Sequence, residues 1–344
     1  MKQHLNTLFV TTPRAALGKD GESAVVRVGR DVLLRVPLHH IGSIVTFGAV
    51  GVSPALMAAC ARAGISISLL SEHGSLLARI VGFTPGNVLL RREQYRRADS
   101  EEASVTIARS AVLAKVANAR SALLRAARDR PTASGQPELV GAAGRLALAL
   151  DELQRVDSLD GLRGIEGDAA RNYFSVFNVM ITAPDGQFRM NGRTRRPPLD
   201  PVNALLSFLY VLLAHDARSA CEAAGLDPAV GFLHRDRPGR PGLALDLMEE
   251  LRPFLVDRLA LALINRRQIQ ASGFRRQPAG GFEMDDETRR SVLVAYQKRK
   301  QESVMHPFLQ ESVTIGLIIH LQARLLARYL RGELDAYPAF ISHG

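Results

Sequence analysis

The sequence predicts an α+β protein: a small β-rich N-terminal domain, residues 1–97, followed by a larger all-α C-terminal domain, residues 98–344. Two observations carry this prediction. Up to about residue 90 the apolar residues fall in short β-branched runs cut by Gly, Pro or Asp. From about residue 101 they recur every three or four positions in Ala/Leu/Arg-rich stretches. Strands first and helices afterwards is the order of a segregated α+β chain.

The strand runs are residues 8–12, 24–28, 32–36 and 41–47. Ser53 as N-cap and Pro54 as first helical residue then open a short helix that Gly64 ends. Runs 65–70 and 76–81 return to strand. RREQYRRADS, residues 91–100, reads as a polar, basic connector. Helices are expected at about 101–129, 137–155, 159–182, 200–224, 244–265, 286–302 and 309–333, with turn signals such as Pro131-Thr132 and Pro184-Asp185-Gly186 between them. Pro253 cannot donate to residue 249, which predicts a kink in the fifth of these. Segments 189–196 and 266–285 read as basic, irregular loops facing either solvent or nucleic acid, and Pro338 marks a tail from residue 334 expected to fray.

Composition narrows the class. Apolar residues make 47% and charged residues 23% of 344, enough to build a core without disulfides. Cys60 and Cys221 lie far apart and read as buried thiols of a reducing compartment. The N-terminal MKQHLNTLFVTTPR lacks a signal peptide's apolar run, and no apolar run reads as long enough to span a membrane, so a cytoplasmic protein is expected. The net charge of +10, mostly arginine, suits a polyanionic partner, although a GC-rich genome encodes Arg-rich proteins anyway.

Two stretches hold candidate chemistry. In GFLHRDRPGRPGLALDLMEELRP, His234 precedes Arg235, Arg237 and Arg240, and then Asp246, Glu249, Glu250 and Arg252. Spacings of three and four place the three acids on one arc of a helix, either a ligand face or its solvated side. Upstream, Glu166 shares a helical face with Leu162, Ala169 and Tyr173, near Arg163. A carboxylate on a packing face needs a cation, which an arginine or a metal could supply. One His and two acids would suit Mn²⁺ or Mg²⁺, the imidazole favouring Mn²⁺. Such a site activates a hydroxyl and polarises a phosphate, with arginines on the nucleic-acid backbone.

Four blocks in this order resemble the CRISPR-associated integrases of spacer acquisition, the "Cas one" family, in the manner of the I-C subtype. They are Ser53-Pro54-Ala55-Leu56 through Gly64-Ile65-Ser66-Ile67-Ser68-Leu69-Leu70; Gly164-Ile165-Glu166-Gly167 with Ala170 and Tyr173-Phe174; Pro201-Val202-Asn203-Ala204-Leu205-Leu206 with Tyr210; and Gly231-Phe232-Leu233-His234 with Leu245-Asp246-Leu247-Met248-Glu249-Glu250. The resemblance implies that Glu166, His234 and Glu249 bind the catalytic metal, with Asp246 supporting them and Glu250 behind. It implies transesterification: a 3′-OH of a short protospacer duplex attacks a phosphodiester at the CRISPR leader-repeat. It implies a homodimer formed through the β-domain, and a heterohexamer with the small "Cas two" protein. Candidate DNA contacts are Arg163, Arg193, Arg195, Arg196, Arg235, Arg237, Arg240 and Arg252, with further basic tracks at 91–97, 266–276 and 298–300.

Other readings of the same residues stay open. A metal-dependent nuclease on branched or damaged DNA would use the same groups without integration. A non-catalytic DNA-binding scaffold would keep the carboxylates as structure. An enzyme on a small anionic metabolite finds no phosphate loop, because residues 231–242 lack GxxxxGK[ST].

Overall fold

The computed structural model describes residues 6–71, 76–82, 87–129, 135–183, 186–278 and 280–342. The turn signals at Pro131-Thr132 and Pro184-Asp185 lie outside the described residues. The chain divides into two compact units, Met1–Pro85 and Gly86–Gly344.

The first unit contains β1 (Asn6–Val10), β2 (Ala16–Asp20), β3 (Ser23–Val28), β4 (Asp31–Pro37), β5 (Ile41–Phe47), β6 (Gly51–Val52), α1 (Pro54–Ala63), β7 (Ser66–Leu70) and β8 (Leu76–Ile80). Two four-stranded sheets result, ordered β1-β5-β7-β8 and β4-β3-β2-β6. β1 and β7 both run parallel to the central β5, while β2, β3 and β4 form an antiparallel meander. Ser53 Oγ accepts from Leu56 N at 3.3 Å to start α1, and Gly64 ends it at φ 67°. Leu17, Val26, Ile44, Leu56, Cys60 and Ile67 share one apolar core. Burial pushes the Cys60 thiol up to about 11, so it is inert. β2 escaped the sequence reading because only Leu17 within it is buried, and the two-residue β6 is too short to leave a pattern.

The second unit contains α2 (Val88–Asp99), α3 (Glu101–Asp129), α4 (Gln136–Leu153), α5 (Leu159–Ser175), α6 (Pro201–Ala224), α7 (Gly242–Glu249), α8 (Arg258–Asn265), β9 (Phe274–Arg276), β10 (Phe282–Met284), α9 (Asp286–Gln301), β11 (Ser303–His306), β12 (Glu311–Thr314) and α10 (Ile315–Leu330). The 29-residue α3, about 44 Å long at 1.5 Å per residue, packs against α4, α5 and α7, while α6 packs against α7 and α10.

Several expectations are corrected. All but the last residue of the supposed connector at 91–100 belongs to α2, and the division between units precedes it instead of following residue 97. Gln94 explains why a polar segment folds: fully buried, it donates to Asp227 O at 2.8 Å and Val230 O at 2.7 Å and accepts from Asp227 N at 2.9 Å. The C-terminal unit is not all-α, since β9–β10 and β11–β12 form two short hairpins. The expected helix at 309–333 begins only at Ile315, because its first residues pair with β11. Helix α6, at 24 residues, is long and apolar enough by length and composition alone to cross a membrane. Its apolar length serves the core instead: Leu205, Leu206, Leu209 and Leu213 are all but inaccessible. The tail expected to fray is docked, with Tyr337 and Phe340 buried.

Candidate metal and nucleic-acid site

The site lies wholly within the second unit, and three helices build it. α5 supplies Glu166, α7 ends at Glu249, and α3 runs beneath both. The loop from α6 to α7 supplies His234. Where that loop folds over the start of α7, the backbones touch. A Cβ on Gly231 would lie 2.6 Å from Gly242 C, and one on Gly242 2.7 Å from Ala229 O, so both positions require glycine.

Asp246 holds the loop in place. Only 3% exposed, its Oδ2 accepts from Phe232 N at 2.6 Å and Leu233 N at 3.0 Å, and its Oδ1 accepts from His234 N at 3.1 Å. His234 Nδ1 lies 2.6 Å from the same Oδ1. Oδ1 is an acceptor, already taking the His234 N–H, so Nδ1 carries the ring hydrogen and donates it. The lone pair of Nε2 then faces Glu249, whose Oε1 is 4.0 Å away. A ring oriented through one nitrogen by a carboxylate is the common arrangement of a metal-binding histidine.

Glu249 is almost completely buried. Burial pushes its carboxyl pKa upward, but the charges of Arg252 and Lys115 overcome this and hold it at about 2. Arg252 Nη2 lies 3.1 Å from Oε1, and its guanidinium stacks over Tyr210 at 4.9 Å. Lys115 Nζ lies 2.7 Å from Oε2, yet Oε2 has no well-aligned hydrogen-bond donor. The same ammonium bonds Glu166. The donor set of one imidazole, one buried carboxylate and one partly exposed carboxylate fits Mn²⁺ or Mg²⁺. Among the described residues, however, no three His, Cys, Asp or Glu side chains already enclose a metal position. Lys115 joins the two glutamates instead.

Glu166, His234 and Glu249 open onto a cavity of about 470 Å³ lined also by Arg163, Arg195, Arg235, Arg237, Arg240 and Arg252. Arg163 is braced by Leu233 O at 2.8 Å, and Arg163 and Arg235 share Asp160 Oδ1 at 2.8 and 2.6 Å. Burial and the neighbouring Arg237 hold the pKa of Arg240 below its ordinary value, the mark of crowded cations. Such a mouth favours a polyanion.

Some expected residues are placed elsewhere. Glu250 turns away from the cavity: Phe340 N at 2.7 Å, Gln322 Nε2 at 2.8 Å and the Tyr337 hydroxyl all donate to it. Arg193 folds inward onto Asn203 Oδ1 at 2.7 Å and Ser207 Oγ at 3.3 Å, pinning its own loop. Arg196 is exposed but does not line the cavity. Arg252 is buried against Glu249, and Lys300 is buried against Asp216 at 2.7 Å, so neither is a free phosphate contact. Sequence reasoning missed Lys115, although a signal existed: it is the lone charge between Arg109 and Arg120 in an otherwise apolar and small-residue stretch.

The family model described as "CRISPR associated protein Cas1" matches residues 8–298. "CRISPR-associated endonuclease Cas1 2" of Rhodospirillum rubrum is 54% identical over 342 residues, 98% of each chain. "CRISPR-associated endonuclease Cas1 1" of Chlorobaculum tepidum is 51% identical over 341 residues, 99% of each chain. In fold, the chain is similar to a casposase bound to integration product, with a TM-score of 0.82 and 21% identity over 97% of this chain and 93% of that one. It is also similar to a chain of a Cas6-RT-Cas1–Cas2 complex, with a TM-score of 0.82 and 22% identity over 99% of this chain and 37% of that longer one. With the family model matching most of its length and close relatives covering nearly all of it, the chain belongs to the CRISPR-associated protein Cas1 family.

Proposed function

We propose that this protein is a metal-dependent DNA endonuclease and integrase that inserts short DNA fragments into a CRISPR array. The observation that carries the proposal is the convergence of Glu166, His234 Nε2 and Glu249 at the base of an arginine-lined cavity. The likeness to named Cas1 endonucleases supports the reaction class.

Glu166, His234 and Glu249 would hold Mn²⁺ or Mg²⁺, which supplies activation of a hydroxyl and stabilisation of phosphorane charge. The protein's own work is positioning. Arg163, Arg235, Arg237 and Arg240 grip backbone phosphates. Asp246 fixes the tautomer of His234, and Arg252 holds Glu249 ionised. The 3′-oxygen of the incoming strand bonds to phosphorus as the repeat's own 3′-oxygen leaves, conserving the number of phosphodiesters. With water as nucleophile the same groups cut DNA.

In this reading the working form is a homodimer, joined through the N-terminal β-unit, whose edge strand β4 exposes Val32, Leu33 and Leu34. Two such dimers would flank a dimer of a Cas2 protein in the cytoplasm, on the I-C pattern that the four sequence blocks resemble. The neighbouring Cas1–Cas2 complex supports that kind of partner.

The test is a supercoiled plasmid carrying a CRISPR repeat, incubated with a short duplex with free 3′-OH ends. It is run with Mn²⁺, Mg²⁺ or EDTA, with and without the Cas2 partner. Metal-dependent joining that disappears in folded Glu166→Ala, His234→Ala and Glu249→Ala is expected. Cleavage without joining, even with the partner, would point to a repair-type nuclease. DNA binding without chemistry would leave a scaffold.

A further inference from the structure

We propose that Lys115 is a built-in stand-in for the divalent cation, which must displace its ammonium from Glu166 and Glu249 in order to bind. The inference rests on the metal-site reading above and concerns how that site is kept when empty of metal and how it is loaded.

Lys115 sits in the middle of α3, where Val112, Ala114, Val116 and Asn118 around it are all buried. Its own side chain is only 12% exposed. A lysine is kept that deep only when its charge is matched. Here one ammonium reaches two carboxylates from different helices, bonding Glu166 on α5 and standing 2.7 Å from Glu249 Oε2 on α7. Without it, two carboxylates would face each other in a poorly hydrated place and repel.

Glu166, Glu249 and Asp246 contribute three formal negative charges, and Lys115 and Arg252 two positive ones. A divalent ion turns this balance from one negative to one positive, and withdrawal of one cation restores neutrality. Arg252 is fixed between Glu249 and the face of Tyr210. Lys115 has a flexible four-carbon stem that can swing its ammonium away. The ammonium is therefore the group that yields. Once out, it finds the open arginine-lined cavity, where a DNA phosphate is its natural partner. Displacement thus links the two ligands: DNA that receives the ammonium eases entry of the metal, and by reciprocity the metal tightens DNA.

The test is Mn²⁺ binding by calorimetry, with thermal melting of the full-length protein, for wild type, Lys115→Met, Lys115→Arg and Glu249→Gln, with and without a short DNA duplex. Removing the competing charge should tighten Mn²⁺ binding by Lys115→Met about tenfold or more in the absence of DNA. The same variant should melt lower without metal, gain more from Mn²⁺ than wild type, and lose the DNA-dependent gain in metal affinity. Lys115→Arg keeps a cation and should bind Mn²⁺ as weakly as wild type. If Lys115→Met unfolds without metal, recovery of its melting transition by Mn²⁺ supports the proposal, and failure to recover overturns it. Unchanged or weaker Mn²⁺ binding by a folded Lys115→Met overturns it while the metal site stands. Should Mn²⁺ bind neither wild type nor Lys115→Met, or bind equally to Glu249→Gln, the metal-site reading falls and takes this proposal with it.

Discussion

Replacing Asp246 with asparagine changes almost no volume and isolates what its charge and second oxygen do. The carboxylate serves four groups: Phe232 N and Leu233 N on Oδ2, and His234 N with His234 Nδ1 on Oδ1. Asparagine offers one acceptor oxygen, so one of these two pairs faces an NH₂ group. If the NH₂ takes the Oδ2 position, two backbone donors are orphaned. Each orphaned buried donor costs about 1–3 kcal/mol, and partial relaxation of the loop brings the total to roughly 3 kcal/mol. If the NH₂ takes the Oδ1 position, it orphans His234 N, donates to Nδ1 and moves the ring hydrogen to Nε2. The lone pair then no longer faces Glu249, and metal affinity and activity should fall about 10–100-fold, as for other lost supports of a ligand. Urea unfolding and Mn²⁺ titration read the two effects separately. Stability within about 0.5 kcal/mol of wild type together with unchanged metal binding would refute the view that Asp246 organises this loop.

Three further outcomes are expected. Burial raises the Glu250 carboxyl to about 7, above its ordinary 4.5; a raised carboxyl contributes stability below the unfolded value and loses it as pH climbs, so wild type should lose melting temperature between about pH 5 and 7, and Glu250→Gln should flatten that stretch. Asn118 donates to Glu250 O at 2.8 Å and Phe340 O at 2.9 Å and accepts from Ser342 N at 2.8 Å; Asn118→Ala should cost about 2–3 kcal/mol and expose residues beyond 334 to limited proteolysis, and an unaltered digestion pattern would count against the tail's docking. Arg235→Ala, at an exposed side chain paired at the rim with Asp160, should leave melting unchanged, weaken DNA evenly across sequences and lower the salt slope by about one, measured by fluorescence anisotropy at several salt concentrations.

The residues that announced themselves in the sequence are those whose local neighbours betray them. α3 runs over residues 101–129 as its apolar period requires, and the break near Pro253 appears as a six-residue π turn at Arg252–Asp257. His234 and Glu249 share one short stretch, so their meeting was readable once the loop was assumed to fold back. Glu166 lies far upstream, and only its place on a packing face, together with the family resemblance, joined it to them. Long-range polar pairing was not readable. Gln94 looks like any surface glutamine until Asp227 and Val230 are placed against it, and the β11–β12 hairpin hides in a sequence with helical period. Glu250 and Glu249 are adjacent in the chain but point into different surroundings, a distinction that arc geometry on a helix blurs when the helix ends between them.

Gln94 and Asn118 tie the cleft to distant chain. Gln94 reaches Asp227 across 133 positions, and Asn118 reaches Phe340 across 222. Contacts so far apart in sequence form late, because large loops must close before either bond can repay the lost freedom. A helix such as α3 can form early, but the histidine loop and the glutamate behind it await the closing stage. Chains still folding should therefore carry no working DNA-cutting centre, and a chain stopped before Tyr337 should be nearly inactive on plasmid. For a nuclease, late assembly means that the cutting centre appears only once the whole unit has closed.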